Sequence, residues 1–268
     1  MKKWTGERLE TFIQTRDSIE HLHRYAIVSD YITGKVVLDI ACGEGYGSNL
    51  MAKNASFVYG VDIDVDTIDK AKSKYQKENL EFRIGRADKI PLESNSIDVV
   101  VSFETLEHHD KHQEMMVEVK RVLRKDGLLI ISTPDKLHYS DGRNFKNEFH
   151  VKELYKEDFK KLIMTYFDKM QVLTQVYCGG MSIIQDETDQ DDMRIFSGNF
   201  LTIKNEFINP LYLIIIASDT NFIEYKRSFF NGEKIQEIGV VAKVKNSNSY
   251  KLGHFILIPF KALKRRLR

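Results

Sequence analysis

This sequence has few cysteines and prolines and nearly equal numbers of basic and acidic side chains. These features exclude several classes of protein. The 268 residues include 2 cysteines and 4 prolines, with 40 basic and 39 acidic side chains. Cys42 and Cys178 are too far apart for a disulfide framework or a zinc-ligand pattern, so we expect a reducing compartment. The near-neutral charge argues against a nucleic-acid partner, because such a protein would be strongly basic.

Long apolar runs are missing as well. The longest, residues 211–217, is far shorter than the roughly 20 residues that a membrane-spanning helix needs. The first residues are polar and lack the apolar stretch of a secretory signal. We therefore expect a cytoplasmic protein, and one long enough to bury a core without a disulfide or metal.

Short apolar runs alternate with helical patterns along most of the chain. We predict buried strands at 36–40, 57–62, 80–84, 97–102, 128–132, 170–176 and 211–217. Such alternation is typical of an α/β fold with a mostly parallel sheet and helices on both faces. We divide the chain into an N-terminal helical lid (1–34), a main domain (35–218, with an insertion at about 179–210) and a C-terminal extension (219–268).

A glycine-rich loop is the strongest signal. Gly43, Gly45 and Gly47 stand at alternate positions between the first strand and a helix. Glycine lets a ligand approach the backbone, and ligands bind beyond the carboxyl ends of parallel strands. The spacing G-x-G-x-G differs from the G-x-G-x-x-G of dinucleotide sites. Asp39, at the end of the first strand, favours a cationic ligand over a pyrophosphate.

Two further carboxylates follow neighbouring strands. Asp62 ends the second strand, where a carboxylate can accept hydrogen bonds from ribose hydroxyls. Asp88 follows the third strand and could accept a hydrogen bond from an exocyclic amine. Together with Asp39 and the glycine loop they indicate a nucleoside with a cationic arm that carries no phosphate. The predicted cofactor is S-adenosylmethionine.

Several segments resemble the class I S-adenosylmethionine-dependent methyltransferases over residues 18–176. They are DIACGEGYG at 39–47, GVD at 60–62, AD at 87–88, SFETLEH at 102–108 and RVLRKDGLLIISTP at 121–134. The resemblance implies a Rossmann-like, seven-stranded, mostly parallel sheet. The chain looks most similar to a bacterial subgroup associated with surface-polysaccharide and glycan biosynthesis, through TGER at 5–8, EHLHRY at 20–25 and FHVKE at 149–153. It departs from the family at Asp126, where proline is usual before the glycine.

The resemblance also implies roles for individual residues. It places the three loop glycines under the methionine part of the cofactor, Ile63 on the adenine, Ala87 beside Asp88, and Phe103 and Glu104 near the sulfonium. From its chemistry alone, the Arg24 guanidinium could pair with the cofactor carboxylate or with an acidic sugar, and an ordinary helix or lid ion pair is the alternative. The predicted cofactor-binding residues are Asp39, Gly43, Glu44, Gly45, Gly47, Asp62, Ile63, Ala87, Asp88, Phe103, Glu104 and Arg24.

Histidines near the strand ends are the candidates for catalysis. Methyl transfer mainly requires alignment of the acceptor, but a hydroxyl acceptor also gains from a general base, most often histidine. We predict His108, after the fourth strand, as this base, with His150 as the alternative and Glu107 as an orienting group. The acidic run at 186–192 lacks the spacing of a calcium loop, and no metal site is predicted.

The leading hypothesis is an O-methyltransferase that acts on a sugar or glycan hydroxyl in surface-polysaccharide biosynthesis. O- or N-methylation of another small molecule is the nearest alternative. A nicotinamide-dependent sugar oxidoreductase or epimerase is opposed by the glycine spacing, and by a Tyr31–Lys35 pair that precedes the first strand. A non-catalytic scaffold with the same fold also stays open.

The partners follow from these readings. We expect a small-molecule or glycan acceptor, and the sequence predicts no oligomeric state. The basic end, residues 261–268, is interpreted as a solvated tail. The alternative is peripheral contact with an anionic membrane, at the inner face of that membrane.

Overall fold

A large sheet flanked by helices forms the body of the protein, in a computed structural model that describes residues 9–192 and 194–252. The helices are α1 (Arg16–Ile32), α2 (Tyr46–Met51), α3 (Val65–Lys74), α4 (His112–Val122), α5 (Lys136–Tyr139), α6 (Lys156–Met164) and α7 (Glu233–Asn246). The strands are β1 (Val36–Ile40), β2 (Phe57–Asp62), β3 (Leu80–Ile84), β4 (Ile97–Phe103), β5 (Leu123–Pro134), β6 (Lys169–Cys178), β7 (Met181–Asp186), β8 (Ile195–Gly198), β9 (Ile203–Glu206), β10 (Tyr212–Ser218) and β11 (Ser228–Asn231).

The sheet has nine strands in the order β11-β7-β6-β10-β5-β4-β1-β2-β3. The pairs β1–β2, β1–β4, β2–β3 and β4–β5 are parallel. Strand β10 is antiparallel to both β5 and β6. The carboxyl ends of β1, β2, β3 and β4 therefore meet at one edge, where ligands bind in open sheets of this kind.

The predicted α/β Rossmann-like fold is confirmed, but the prediction of seven strands was two too few. Strand β7 pairs with β6 in an antiparallel hairpin, and β11 pairs with β7 at the sheet edge. The hairpin turns at Gly179 and Gly180, both of which have positive φ. These strands fall in the segments expected to be an insertion and an extension, so both segments contribute to the main sheet. Strands β8 and β9 form a separate two-stranded hairpin.

Apolar side chains form a core on each face of the sheet. Residues from α1, α2 and α3, such as Ile27, Met51 and Ile68, pack on one face. Residues from α4 and α6, such as Val119 and Phe159, pack on the other. This confirms the prediction of helices on both faces.

The N-terminal helix α1 is part of this core as well as a cover for the sheet edge. Its residues Ile19, Ile27, Val28 and Ile32 are buried. Helix α7 contributes no buried residue. None of the described helices combines the length and apolar character that a membrane span requires. The basic tail at 261–268 and residues 5–8 of the N-terminal motif lie outside the described residues.

Candidate active site

A cavity of about 360 Å³ opens at the carboxyl ends of β1, β2 and β4. Cavities of this size commonly hold small molecules or cofactors. Its wall includes many of the predicted site residues, namely Gly43, Glu44, Asp62, Ile63, Ala87, Asp88, Phe103, Glu104 and His108.

The glycine loop gives the cavity an open backbone wall. Ala41, Gly43 and Gly45 all have positive φ, which turns the chain sharply between β1 and α2. A Cβ added at Gly43 would meet nothing within 4 Å. The absence of a side chain there leaves space inside the cavity, as expected of a loop on which a ligand lies.

Asp62 is held in place by two backbone amides. Its Oδ2 accepts a hydrogen bond from the Gly43 amide at 2.9 Å, and its Oδ1 accepts one from the Asp64 amide at 2.9 Å. The side chain is buried at the cavity wall. A fixed carboxylate in this position fits the hydroxyl groups of a ribose, because those hydroxyls can donate hydrogen bonds to it.

Asp39 lies behind the loop and does not line the cavity. Its Oδ2 accepts a hydrogen bond from Ser48 Oγ at 2.6 Å, and its Oδ1 accepts one from Tyr25 Oη at 3.4 Å. Burial raises the pKa of Asp39 to about 7. A cationic ligand on the other side of the loop would favour the ionised form, so Asp39 can contribute to binding through its charge without contact.

Gly45 and Gly47 are not among the residues that line the cavity, and their place under the cofactor stays a prediction. A Cβ at Gly45 would lie 2.6 Å from Phe82 Cε1, and one at Gly47 would lie 2.0 Å from Tyr25 Cζ. These two positions need glycine because neighbouring side chains fill the space. Their contribution is to the packing of the loop and of α2.

Arg24 likewise does not line the cavity. Its Nη1 lies 3.2 Å from Glu104 Oε1, and its Nε donates a hydrogen bond to Gln175 Oε1 at 2.7 Å. The side chain is fully buried. The ion pair with Glu104 corresponds to the alternative expected for Arg24 rather than to direct pairing with a cofactor.

Glu44 joins three elements at the mouth of the cavity. Its Oε2 accepts a hydrogen bond from the Thr11 amide at 2.8 Å, and its Oε1 lies 2.5 Å from Lys74 Nζ on α3. Leu9, just upstream of Thr11, lines the cavity. The N-terminal cover of the cavity is therefore this segment together with α1.

Asp88 is paired with two cations at the adenine end of the predicted site. Its carboxylate oxygens accept hydrogen bonds from Arg86 Nε and from Lys111 Nζ, each at 2.7 Å. These bonds hold the pKa of Asp88 well below its ordinary value, so the carboxylate is ionised. Arg86 and Lys111 line the cavity but were missed by the sequence analysis, because isolated basic residues carry no motif.

The strand β4 leads directly into the predicted catalytic residues. Glu104 follows it with a φ of 53°, and its Oε1 accepts a hydrogen bond from Ser132 Oγ at 2.6 Å. A 3₁₀ turn, Leu106–His108, comes next. The strained residue at Glu104 changes the direction of the chain and brings this turn to the sheet edge.

Glu107, His108 and His150 lie together. One potential ligand atom from each falls within 4.8 Å of the other two. The His108 and His150 rings meet edge to face, with centroids 5.2 Å apart. The Glu107 carbonyl accepts hydrogen bonds from the amides of Val151 and Lys152, which holds the His150 loop against the turn.

Glu107 is the most buried of the three. Its Oε2 accepts a hydrogen bond from Thr133 Oγ1 at 3.1 Å. Burial, together with nearby Glu104, raises the pKa of Glu107 well above its ordinary value. His108 lines the cavity, so this cluster adjoins the space in which a cofactor would bind.

Several further cavity residues lie on other elements. His21 and Tyr25 on α1, Tyr46 on α2 and His109 beside the 3₁₀ turn all line the cavity. Tyr46 Oη and His21 Nδ1 are hydrogen-bonded at 3.0 Å. His21 lies on the N-terminal helix that the sequence predicts as a lid over the site, and it lines the cavity.

Comparison with known proteins agrees with this geometry. Residues 38–131 match the family model described as a methyltransferase domain. This part of the chain is therefore similar to methyltransferase domains. The domain and the relatives below imply S-adenosylmethionine as the cofactor, as predicted, and Asp62 and the loop at Gly43 fit that molecule.

Two curated relatives match part of the domain and its surroundings. A protein of Mycolicibacterium smegmatis, named as a probable S-adenosylmethionine-dependent methyltransferase, is 35% identical over 142 residues, which cover 53% of this chain and 54% of that protein. A ubiquinone biosynthesis O-methyltransferase of Coxiella burnetii is 31% identical over 117 residues, which cover 43% of this chain and 47% of that protein. The chain thus spans about half the length of these relatives.

Solved structures show the same fold. The YcgJ protein of Bacillus subtilis has a TM-score of 0.57 and 17% sequence identity, and the match covers 75% of this chain and 100% of that chain. At this identity the likeness concerns the methyltransferase fold alone.

Proposed function

We propose that this protein transfers a methyl group from S-adenosylmethionine to a hydroxyl group of a small-molecule acceptor, with a sugar or glycan hydroxyl as the preferred class. The proposal places the reaction in the cytoplasm. If the acceptor is linked to lipid, the protein would contact the inner face of the membrane through the basic tail at 261–268.

The continuity of one cavity carries this proposal. The same wall includes Gly43 and Asp62 at one end and Glu104, Thr105 and His108 at the other. A cofactor whose ribose lies at Asp62 would direct its sulfonium towards the turn that contains His108. The acceptor would then approach from the side of His108 and His150.

Each end of the cavity has its own task. Bound S-adenosylmethionine supplies an electrophilic methyl group. Asp62 orients the ribose, Asp39 favours the positive charge through the loop, and the apolar Phe103 limits water near the reacting atoms. His108, next to Glu107, removes the proton of an acceptor hydroxyl, since imidazole is the usual general base near neutral pH.

Two observations support an oxygen acceptor. An amine needs less help from a base than a hydroxyl does, whereas His108 and His109 line this cavity. One relative is named as an O-methyltransferase of ubiquinone biosynthesis. The glycan class is supported by the resemblance of the segments at 20–25 and 149–153 to the glycan-associated subgroup.

Transfer of an isotopically labelled methyl group tests the proposal. The full chain is incubated with labelled S-adenosylmethionine and nucleotide sugars, lipid-linked glycans, catechols or amines, and the products are analysed by mass spectrometry. We expect an oxygen-linked methyl group on a sugar. A label on nitrogen would overturn the oxygen assignment, and cofactor binding without any labelled product would favour the non-catalytic scaffold.

The base assignment has its own test. His108→Ala should lower kcat at least tenfold and leave the Kd of the cofactor nearly unchanged, because general-base catalysis typically contributes about 100-fold or more. His138→Ala is the control, since His138 lies on α5 and is not among the residues that line the cavity. An unchanged kcat in the His108 variant would exclude His108 as the base.

A further inference from the structure

We propose that Glu107, His108 and His150 bind one divalent transition-metal cation beside the cavity. No sequence pattern predicts such a site, because Glu107 and His108 are far from His150 in the chain. The fold brings them together through the two hydrogen bonds from the His150 loop to the Glu107 carbonyl.

The spacing of the three side chains is close to that of a metal centre. Their potential ligand atoms lie within 4.8 Å of one another, and His108 Nε2 lies 4.0 Å from Glu107 Oε1. Zinc–nitrogen and zinc–oxygen bonds of about 2.0–2.2 Å place the ligand atoms of one ion about 3–4 Å apart. Side-chain movements of about 1 Å would therefore complete the site.

The hydrogen bonds of the two Nδ1 atoms make Nε2 the nitrogen of each ring that would bind a metal. His108 Nδ1 donates a hydrogen bond to the Phe149 carbonyl at 3.1 Å. His150 Nδ1 donates one to Glu153 Oε1 at 2.5 Å. With both Nδ1 atoms protonated, each Nε2 carries a lone pair. Metal-binding histidines are typically oriented in this way, by a carbonyl or carboxylate bound to the second ring nitrogen.

Asn147 defines the state of His150 in more detail. The Phe149 amide donates to Asn147 Oδ1 at 3.0 Å, which directs the Asn147 amide group at His150 Nε2, at 3.0 Å. This confirms Nε2 as the acceptor atom of His150. Binding of a cation at this atom exchanges the Asn147 hydrogen bond for a metal–nitrogen bond.

The charges around the cluster suit a cation. Glu107 is a buried carboxyl group near Glu104, and a bound cation would favour its ionised form. The positive charge of Arg24 is paired with Glu104. Glu153 adds a second carboxylate behind His150. Two imidazoles and a carboxylate favour Zn²⁺, Fe²⁺ or Mn²⁺ over Mg²⁺, which prefers oxygen ligands.

The position of the metal site beside the cavity suggests a role in catalysis. This role rests on the proposed function. His108 faces the cavity, so a cation bound to it could also bind the acceptor hydroxyl. The cation would stabilise the alkoxide form of that hydroxyl and would replace His108 as the group that promotes loss of the proton. The proton then leaves to solvent or to a neighbouring base.

Titration with Co²⁺ and Zn²⁺ tests the site directly. Metal-free full-length protein is titrated without cofactor, with Co²⁺ followed by its visible absorption and Zn²⁺ by calorimetry. We expect one cation per chain. Glu107→Gln, His108→Ala and His150→Ala should each weaken binding at least tenfold, and Glu153→Gln should weaken it about tenfold as an outer partner. Equal affinity in wild type and these variants, or no saturable binding, would overturn the proposal.

Controls separate this site from others. His138→Ala is the matched variant, because His138 also lies beside a carboxylate, with its Nε2 3.8 Å from Asp135 Oδ2, and is about as exposed as His108. It should bind metal as the wild type does. If Glu107→Gln fails to fold, as judged by circular dichroism, Glu153→Gln and His150→Ala decide the question.

Separate measurement of cofactor binding distinguishes the two proposals. Metal binding in a protein that does not bind S-adenosylmethionine would overturn the proposed function and leave the metal site intact. Methyl transfer by a protein that binds no metal would overturn the metal site alone. Metal binding with transfer unaffected by chelation would overturn the role assigned to the cation.

Discussion

The Asp62 side chain has two roles, because it accepts a hydrogen bond from the Gly43 amide and also faces the cavity. We expect Asp62→Asn, which keeps the shape but removes the charge and one acceptor, to raise the Kd of S-adenosylmethionine at least tenfold, a change of about 1.4 kcal/mol. Calorimetry measures this value. Asp69→Asn, on the exposed side of α3, removes the same charge and should have no effect. Equal affinity in both variants would contradict the ribose assignment.

Asp39 makes cofactor affinity depend on pH. Its pKa is about 7 in the folded protein because of burial. A cationic ligand prefers the ionised form, so the affinity for S-adenosylmethionine should rise with pH up to about 7 and then level off. Asp39→Asn should remove this dependence. A series of Kd values across this pH range is the measurement, and a flat profile in the wild type would contradict the argument.

Asp39 also makes the free energy of unfolding depend on pH. Its contribution to that free energy falls over the pH range in which the cofactor affinity rises. An unfolded aspartate ionises near pH 4, as is usual for the free residue, whereas folded Asp39 ionises near 7. Between these values folding opposes ionisation, so the contribution of Asp39 to stability is greatest below about pH 4 and falls as the pH rises to about 7. Denaturant unfolding of wild type and Asp39→Asn at several pH values measures this difference. We expect the free energy of unfolding of Asp39→Asn to exceed that of the wild type by a margin that grows with pH up to about 7. A constant difference would contradict the raised pKa.

At the scale of elements, the loop and α2 divide the glycines into two kinds. Gly47 packs against Tyr25 on α1, where a Cβ would lie 2.0 Å from Tyr25 Cζ. Gly43 instead leaves space in the cavity. Gly47→Ala should therefore destabilise the fold by about 1–3 kcal/mol, as is usual for overpacking. Gly43→Ala should mainly weaken cofactor binding, with a smaller loss from its positive φ.

Thermal unfolding and calorimetry on the two glycine variants provide the comparison. The expected pattern is a lower Tm for Gly47→Ala and a higher cofactor Kd for Gly43→Ala. The reverse pattern would mean that Gly47, not Gly43, forms the cofactor surface. Such a result would restore the prediction that the sequence made for Gly47.

The elements also show how far sequence patterns can reach. The first five strands and the loop were predictable, because their short apolar runs and glycine spacing are local features. Strand β11 was not, because a four-residue edge strand such as Ser228–Asn231 depends on its partner β7 rather than on its own pattern. Whether Gly45 and Gly47 contact the cofactor stays a prediction, because spacing does not show which side of a loop is covered.

At the scale of the whole molecule, sequence patterns predict least where segments that are distant in the chain come into contact. Asp62 and His108 were predicted separately from the ends of different strands. Their common cavity depends on the sheet order that sets β1 between β2 and β4. The hydrogen bonds from Val151 and Lys152 to the Glu107 carbonyl join residues 44 and 45 positions apart in the chain, and nothing local in either segment predicts them.

The central claim is that one cavity holds the cofactor with its sulfur directed at the Glu107–His108 turn. A crystal structure of the protein with S-adenosylhomocysteine measures this directly. We expect the ribose hydroxyls within hydrogen-bond distance of Asp62 and the sulfur facing His108. A ligand bound away from Asp62, or a cavity without ligand at saturating concentration, would contradict it.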